Sequence, residues 1–195
     1  MKRAGDLIAA AVLLALLALP MAILALALRL REGPGVLFRQ TRMGRQAVPF
    51  TILKFRTMRH AQAGEAEITA GDQDARISGL GKTLRKYRLD EWPQLWNVLR
   101  GDMSLVGPRP EVPAFVDVDD PLWKKALSVR PGITGPDALA FKDEGLSLAA
   151  ATDPETHYRL NILPAKLAMQ ADYAENRSAM GDIAILFRTL GALRG

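Results

Sequence analysis

The sequence predicts an α+β protein: an apolar N-terminal membrane helix with a proline at its middle, then a compact, mainly helical cytoplasmic domain with short strands and ordered loops. Three observations carry this reading. From Leu7 to Leu28 the chain has no charged residue and one proline. Just after it, VLFRQ and PFTILKFRTM alternate β-branched or aromatic residues with polar ones near period two. Beyond residue 80, apolar residues recur at helical spacing between proline- and glycine-rich turns. The expected division is residues 1–31 for the membrane hairpin and 32–195 for the cytoplasmic domain.

Three readings compete for the apolar start. A signal peptide would use Lys2-Arg3 as its basic end and Ala25-Leu26-Ala27 as its cleavage site, but the run exceeds the roughly 7–15 residues of such segments. A plain transmembrane helix fits by length, since about 20 residues cross a hydrocarbon core. The third is a helix that enters one leaflet, breaks at Pro20 and returns. Pro20 removes a backbone hydrogen bond and clashes with the carbonyl of Leu16. Cations flank both ends, Lys2-Arg3 and Arg29 with Arg31, and the positive-inside bias favours keeping both on the cytoplasmic side. These features leave the span and the hairpin both open.

Gly33-Pro34-Gly35 closes the membrane segment with a turn. Residues 60–79, polar and small, read as an exposed loop. A helix is expected from about Gly81 to Leu89, and a second through PQLWNVLRG with Leu95, Trp96 and Leu99 on one face and Gly101 as its stop. Residues 107–136, rich in proline and glycine, read as ordered loop with little regular structure. Residues 154–176 read as helical with an interruption at Pro164. Ser178 is expected to cap a last amphipathic helix whose apolar stripe, Met180, Ile183, Phe187 and Leu190, is assigned to the core.

Composition removes several functions. Cysteine is absent, which excludes a disulfide framework and thiolate metal sites. The two histidines, His60 and His157, share no ligand spacing, which argues against zinc and against a histidine-based triad. The net charge of +5 includes six cations between Glu32 and Glu65 (Arg39, Arg42, Arg45, Lys54, Arg56, Arg59) with no carboxylate among them. Beside a membrane segment, such a run suits an anionic leaflet; a solvated face is the alternative. Nucleic acid is not expected, because no aromatic-interleaved or helix-turn-helix pattern accompanies the charge. The isolated G-x-G spacings lack a strand-to-helix context for a dinucleotide site.

The chemistry is concentrated in RKYRLDEWPQLWNVLRGDMSLVGPRP. Asp90-Glu91 stands ahead of Pro93 and behind Lys82, Arg85, Lys86 and Arg88. Further on, Gly107-Pro108-Arg109-Pro110 holds one guanidinium between two prolines. Arginine matches phosphate with a planar fork, and a carboxylate can hold Mg²⁺ or attack phosphorus. Together they suit phosphoryl transfer. For an isolated Asp-Glu pair the simpler reading is a helix cap and a dipole partner.

This block closely resembles the signature of the bacterial sugar transferases, the monotopic phosphoglycosyl transferases, in their small single-domain type. The resemblance extends over KRAGDLIAAAVLLALLALPMAILALALRLREGPGVLFRQTRMG and on to the last helix. It implies that residues 1–31 form a re-entrant membrane helix-break-helix hairpin turning at Pro20, although many members carry Ser-Pro where this chain has Leu19-Pro20. It also implies transfer of a phosphosugar from a UDP-sugar to polyprenol (undecaprenyl) phosphate, with release of UMP through a covalent aspartyl intermediate. That reaction is a first membrane step of glycoconjugate biosynthesis.

By the resemblance, Asp90 maps to the nucleophile and Glu91 to the Mg²⁺-associated partner. Arg85 and Arg109 map to phosphate clamps, with Lys54 of KFRTM and Arg88 near the same anion. Pro108, Pro110, Thr134 and Lys142 fall in the nucleotide or sugar region. There the chain departs from the family: PGITG leads into PDALAFKDEG, where many members continue with an aromatic-Ala-Gln-Val-x-Gly-Arg run. The implied location is the cytoplasmic face of a bacterial inner membrane, among its anionic lipids. The sugar, the polyprenol length, the pathway and any homo-oligomer are left open. Two other readings use the same residues. A Mg²⁺-dependent lipid phosphatase would release inorganic phosphate in place of UMP, and a membrane adaptor would tolerate Asp90→Asn.

Overall fold

The computed structural model describes residues 2–59 and 74–192. The loop expected at 60–79 therefore lies outside the described residues except for its last part, from Asp74. The protein is α+β, with two small sheets among many short helices.

Helix α1 (Lys2–Glu32) is continuous over 31 residues and passes through Pro20 without ending. At 1.5 Å per residue it is roughly 46 Å long. The break expected at Pro20 is thus not an end of the helix, because both sides of the proline pack on the globular domain. Ala10, Leu14 and Leu17 join Ile52, Leu95, Val98 and Met103 in one core. Met21, Leu24, Ala25 and Leu28 join Phe55 and Leu84 in another. Spacings of three and four put these residues on one stripe. The opposite stripe, including Ile8, Val12, Leu16, Leu19, Ile23 and Leu26, is exposed.

Both ends of α1 are bonded to the same domain. Lys2 Nζ donates to Asp182 Oδ2 at 2.6 Å, and the Arg3 guanidinium donates to the carbonyls of Val98 (2.7 Å) and Met103 (3.1 Å). At the far end, Arg56 donates to the carbonyls of Glu32 and Pro34.

Strands β1 (Leu37–Met43) and β2 (Pro49–Phe55) form an antiparallel hairpin with Phe38 opposite Lys54. Helix α2 (Gly79–Lys86) begins ahead of the start expected after Gly81, because Ser78 accepts the Gly81 N–H and caps it. Helix α3 (Gln94–Arg100) stops at Gly101, whose φ of +100° only glycine adopts readily. Buried Asn97 joins α3 to β2: its Oδ1 accepts the Leu53 N–H at 3.0 Å, and its Nδ2 donates to the Thr51 carbonyl at 2.7 Å. On α3, Leu95 is buried as expected but Trp96 is exposed, a correction to the face read from sequence.

Residues 107–136 hold more regular structure than expected. Helix α4 (Pro121–Ala126) and strand β4 (Gly132–Thr134) both fall there, and β4 pairs in parallel with β3 (Ser104–Val106). The prolines misled, since proline is welcome at the first helical position. Asp120 caps α4 by accepting the Leu122 N–H, and α5 (Pro136–Ala140) also opens on a proline. The glycines let the backbones meet. A Cβ on Gly132 would stand 2.1 Å from the Gly107 nitrogen.

Helices α6 (Glu144–Ala150), α7 (Pro154–His157), α8 (Leu163–Asn176) and α9 (Ala179–Ala192) complete the chain. The interruption expected at Pro164 is seen just ahead of it, as a π-turn over Tyr158–Ile162. Ser178 caps α9 as expected, accepting the Gly181 N–H at 3.1 Å. The apolar stripe of α9 is not core: Met180 is 76 % exposed and Phe187 71 %, with Ile183 and Leu190 also outward. Helix α9 meets the domain through α5, β3 and β4 instead, where Thr189 bonds Thr134 and Asp182 is buried. A helical stripe identifies an apolar face but not what covers it.

Candidate active site

A short chain of local decisions places the acidic pair. After α2, Tyr87 leaves the helix and Arg88 takes a left-handed conformation (φ +52°) that turns the chain. One 3₁₀ turn, Leu89–Glu91, follows and leads through Trp92 and Pro93 into α3. A bulky residue in left-handed geometry costs about 1–3 kcal/mol and persists only where the surroundings impose it. Here the imposed turn aims the Glu91 carboxylate at Lys54 of β2.

Asp90 and Glu91 are each 7 % exposed. Glu91 Oε1 accepts two charge-assisted bonds, from Lys54 Nζ at 2.9 Å and from Arg109 Nη2 at 3.1 Å. Neither cation pairs with Asp90. Lys54 comes from the end of β2 and Arg109 from the segment after β3, so three separate elements converge on one oxygen.

The electrostatics separate the two acids. Burial alone would raise Glu91, but the charges of Lys54, Arg109 and Arg88 outweigh it and hold the carboxyl well below the usual range. For Asp90 burial prevails: it raises the carboxyl above its usual value, Lys54 pulls back, and the Glu91 charge pushes up again. Burial lowers Lys54 against the opposing pull of Glu91. Arg109 is raised, chiefly by Glu91, and stays a cation.

The other residues singled out from the sequence fall at graded distances from this cluster. Arg85, in the last turn of α2, acts on Asp90 electrostatically. Arg88 donates through Nη2 to the Ala138 carbonyl at 3.3 Å, while its Nη1 is buried and has no partner among the described residues. Pro108 and Pro110 are buried, and their carbonyls accept from Gly132 N–H and from Arg42. Thr134 is buried at the end of β4 and shares a 2.8 Å hydrogen bond with Thr189 of α9. Lys142 is exposed on the turn between α5 and α6. Two of the six cations read as a basic face also turn inward: Lys54 to Glu91, and Arg42 to Gln40 and the Pro110 carbonyl.

Three residues that position the site left no trace in the sequence reading: Asn97, Asp137 and Gln170. All are almost fully buried. Asp137 Oδ2 accepts the Arg109 N–H at 3.1 Å, and Gln170 Nε2 donates to the Arg109 carbonyl at 3.2 Å. Their partners lie 28 and 61 positions away, so no local pattern could announce them.

The donor set suits a hard cation. Glu91 Oε2 and both Asp90 oxygens are outside the ion pairs with Lys54 and Arg109. Among the described residues, no group of three or more potential metal ligands gathers. Two adjacent carboxylates match Mg²⁺, which usually takes one or two carboxylates and completes its shell with water and substrate phosphate.

A buried acidic pair, one member paired with two cations and the other with neither of them, beside a rigid Pro-Arg-Pro element, has the chemistry to engage a phosphorylated ligand. The chain belongs to the bacterial sugar transferase family, whose model matches residues 1–194. It is 41 % identical over 196 residues to the UDP-glucose:undecaprenyl-phosphate glucose-1-phosphate transferase of Caulobacter vibrioides, covering 98 % of this chain and 69 % of that protein. It is 44 % identical over 138 residues to the UDP-N-acetylgalactosamine-undecaprenyl-phosphate N-acetylgalactosaminephosphotransferase of Aeromonas hydrophila, covering 69 % of this chain and 32 % of that protein. The exopolysaccharide production protein ExoY of Rhizobium meliloti is 31 % identical, with 98 % of this chain and 84 % of that protein covered.

Proposed function

We propose that this protein transfers a phosphosugar from a UDP-sugar to undecaprenyl phosphate, with Asp90 as the nucleophile. The observation that carries the reading is the unequal treatment of the acidic pair. Lys54 and Arg109 are both spent on Glu91, which leaves the Asp90 carboxylate free to attack. In the first step an Asp90 oxygen forms a bond to the β-phosphorus and the bond to the α-phosphate oxygen breaks. UMP departs with that electron pair. In the second, an oxygen of the lipid phosphate attacks the same phosphorus, the acyl phosphate bond breaks, and the Asp90 carboxylate returns. Two anionic substrates thus use one site in turn.

Arg109, Arg85 and Arg88 supply positive charge where phosphate oxygens gather, and the buried, partnerless Arg88 Nη1 is available as a further donor. Asp90 and Glu91 would hold Mg²⁺, which when bound neutralises the diphosphate and eases the departure of UMP. Glu91, kept ionised by its two cations, holds Lys54 and Arg109 in place through the cycle.

The same reading places the protein on the cytoplasmic face of the inner membrane. Its apolar outer stripe on α1 would enter one leaflet without crossing it, as a re-entrant segment pivoting at Pro20. Supporting this, both ends of α1 bond to one domain, which a helix crossing the bilayer would pull apart. The test is a panel of UDP-sugars assayed for UMP release, with intact mass measured after incubation without lipid acceptor. One phosphosugar added to the peptide carrying Asp90 is the expected result. Release of inorganic phosphate without UMP would identify a phosphatase instead.

A further inference from the structure

Helix α8 grips the segment that carries Arg109. Lys166, Gln170 and Tyr173, spaced four and three apart, share one face of the helix and are all buried. Lys166 Nζ reaches Glu111 Oε1 at 3.4 Å, Gln170 Nε2 the Arg109 carbonyl at 3.2 Å, and Tyr173 OH the Val106 carbonyl at 3.1 Å. The helix therefore runs antiparallel to residues 106–111. One helical turn from Lys166 to Gln170 advances about 6 Å. Two extended residues from Glu111 to Arg109 advance about 6.6 Å. The two repeats nearly match.

At Arg109 the grip closes from two sides. Asp137, on α5 and 0 % exposed, accepts the Arg109 N–H at 3.1 Å through Oδ2. Gln170, 1 % exposed, donates from one Nε2 both to that Oδ2 at 2.6 Å and to the Arg109 carbonyl at 3.2 Å. Both main-chain polar groups of a single residue are thus held by buried side chains. The flanking prolines explain why this matters. Pro108 and Pro110 have no N–H, so Arg109 supplies the only main-chain donor across the three residues. Pro110 also drives Arg109 towards extended backbone. What the prolines leave free is the tilt of the Arg109 peptides, and the Asp137–Gln170 pair fixes it. The arginine side chain remains 35 % exposed, so its backbone is locked while its guanidinium stays open to a ligand.

We infer that Asp137 and Gln170 are positioning residues for the transfer reaction, acting by holding the Arg109 peptide so that its guanidinium meets Glu91 and the substrate diphosphate together. The inference rests on the reading of Arg109 as a phosphate ligand. A displaced guanidinium weakens the phosphate contact even where the fold is intact, because catalytic geometry tolerates little error.

The test is a double-mutant cycle on the full-length protein in membranes, following UMP release from a UDP-sugar substrate. Gln170→Met keeps the volume and removes the donor; Arg109→Lys keeps the charge and removes the fork. Tyr173→Phe, on the same helix face but away from Arg109, serves as the stability control, and thermal unfolding is recorded for each variant. Gln170→Met is expected to lower kcat/KM by about tenfold or more. In the Arg109→Lys background the same change should cost less than about twofold. Tyr173→Phe should lower the unfolding temperature while changing kcat/KM by less than about twofold. Should Gln170→Met fail to accumulate, Asp137→Leu, which removes the acceptor at similar size, enters the same cycle. Losses that multiply in the double variant, or no loss in the single, would overturn the inference. An Arg109→Lys protein as active as wild type would instead defeat the phosphate-ligand reading beneath it.

Discussion

Asp90 and Glu91 are adjacent in the chain and equally buried, yet their carboxyls are driven in opposite directions. Two cations meet on one oxygen of Glu91 and none bonds to Asp90. The nearest counter-charges thus stabilise the neighbour of the proposed nucleophile, leaving the nucleophile itself more basic than an ordinary aspartate. A more basic carboxylate is a stronger attacking group, provided that it is ionised at the working pH.

Asp90→Asn should reduce UMP release by orders of magnitude, because a neutral amide cannot form the acyl phosphate. The side chain keeps its size and sits outside the Lys54 and Arg109 ion pairs, so the fold should survive. Comparing turnover with circular dichroism of the same preparation checks this, and near-normal turnover would eliminate Asp90 as nucleophile.

In the metal-free protein the Asp90 carboxyl should titrate above the 3.8 usual for aspartate, followed by NMR of the side chain. Glu91 should titrate below the usual range for glutamate in the same experiment. The raised Asp90 value also has a stability consequence. A carboxyl whose folded pKa exceeds its unfolded one costs stability above both values, and the cost disappears as pH falls below the unfolded value. Asp90→Asn should therefore unfold at a higher temperature than wild type at neutral pH, with the difference closing as pH falls towards 3.8. An unfolding temperature that is lower than wild type at neutral pH would contradict the assignment.

Chelation with EDTA should abolish UMP release, and Mg²⁺ should restore it, since two carboxylates and a diphosphate make a hard oxygen site. Undiminished release in EDTA would remove the metal from the reaction and return Glu91 to a purely electrostatic part.

The chain has no native cysteine, so single cysteines report topology cleanly. Gly5 has open space around its Cβ position, and Pro34 is exposed just beyond α1. Gly5→Cys and Pro34→Cys should both be labelled by a membrane-impermeant reagent only when the cytoplasmic face is open. Labelling of Gly5→Cys from outside intact cells would make α1 an ordinary span. Pro20→Ala, which restores the hydrogen bond to the Leu16 carbonyl, should shift some molecules towards that orientation.

The acidic pair and its cations were legible because their chemistry is compressed into a short block, where residue type and order already limit the options. Lys54 was legible only through the family resemblance. Nothing in KFRTM says that the residue opposite Phe38 in a hairpin will reach Glu91. Asn97, Asp137 and Gln170 were invisible for a related reason. A buried polar side chain is defined by its partner, and theirs lie tens of residues away. The proline-rich stretch 107–136 reads as loop because proline both ends and begins helices; there Pro121, behind the Asp120 cap, and Pro136 each open one. The stripe on α9 reads as core from its apolar residues, whereas the helix turns Asp182 inward and leaves Met180 and Phe187 exposed.

Because one stripe of α1 is woven into the same interior as Ile52, Leu95 and Phe55, the apolar helix doubles as a structural rib of the globular domain. Deleting it to obtain a detergent-free enzyme would strip large side chains from two interiors, each contributing about 1.5–3 kcal/mol, against a total margin of only about 5–15 kcal/mol. A water-soluble form calls for recolouring in place of excision. Polar residues substituted at Ile8, Val12, Leu16, Leu19, Ile23 and Leu26, all facing outward, would change the solvent that the rib meets while leaving untouched the surface that it braces.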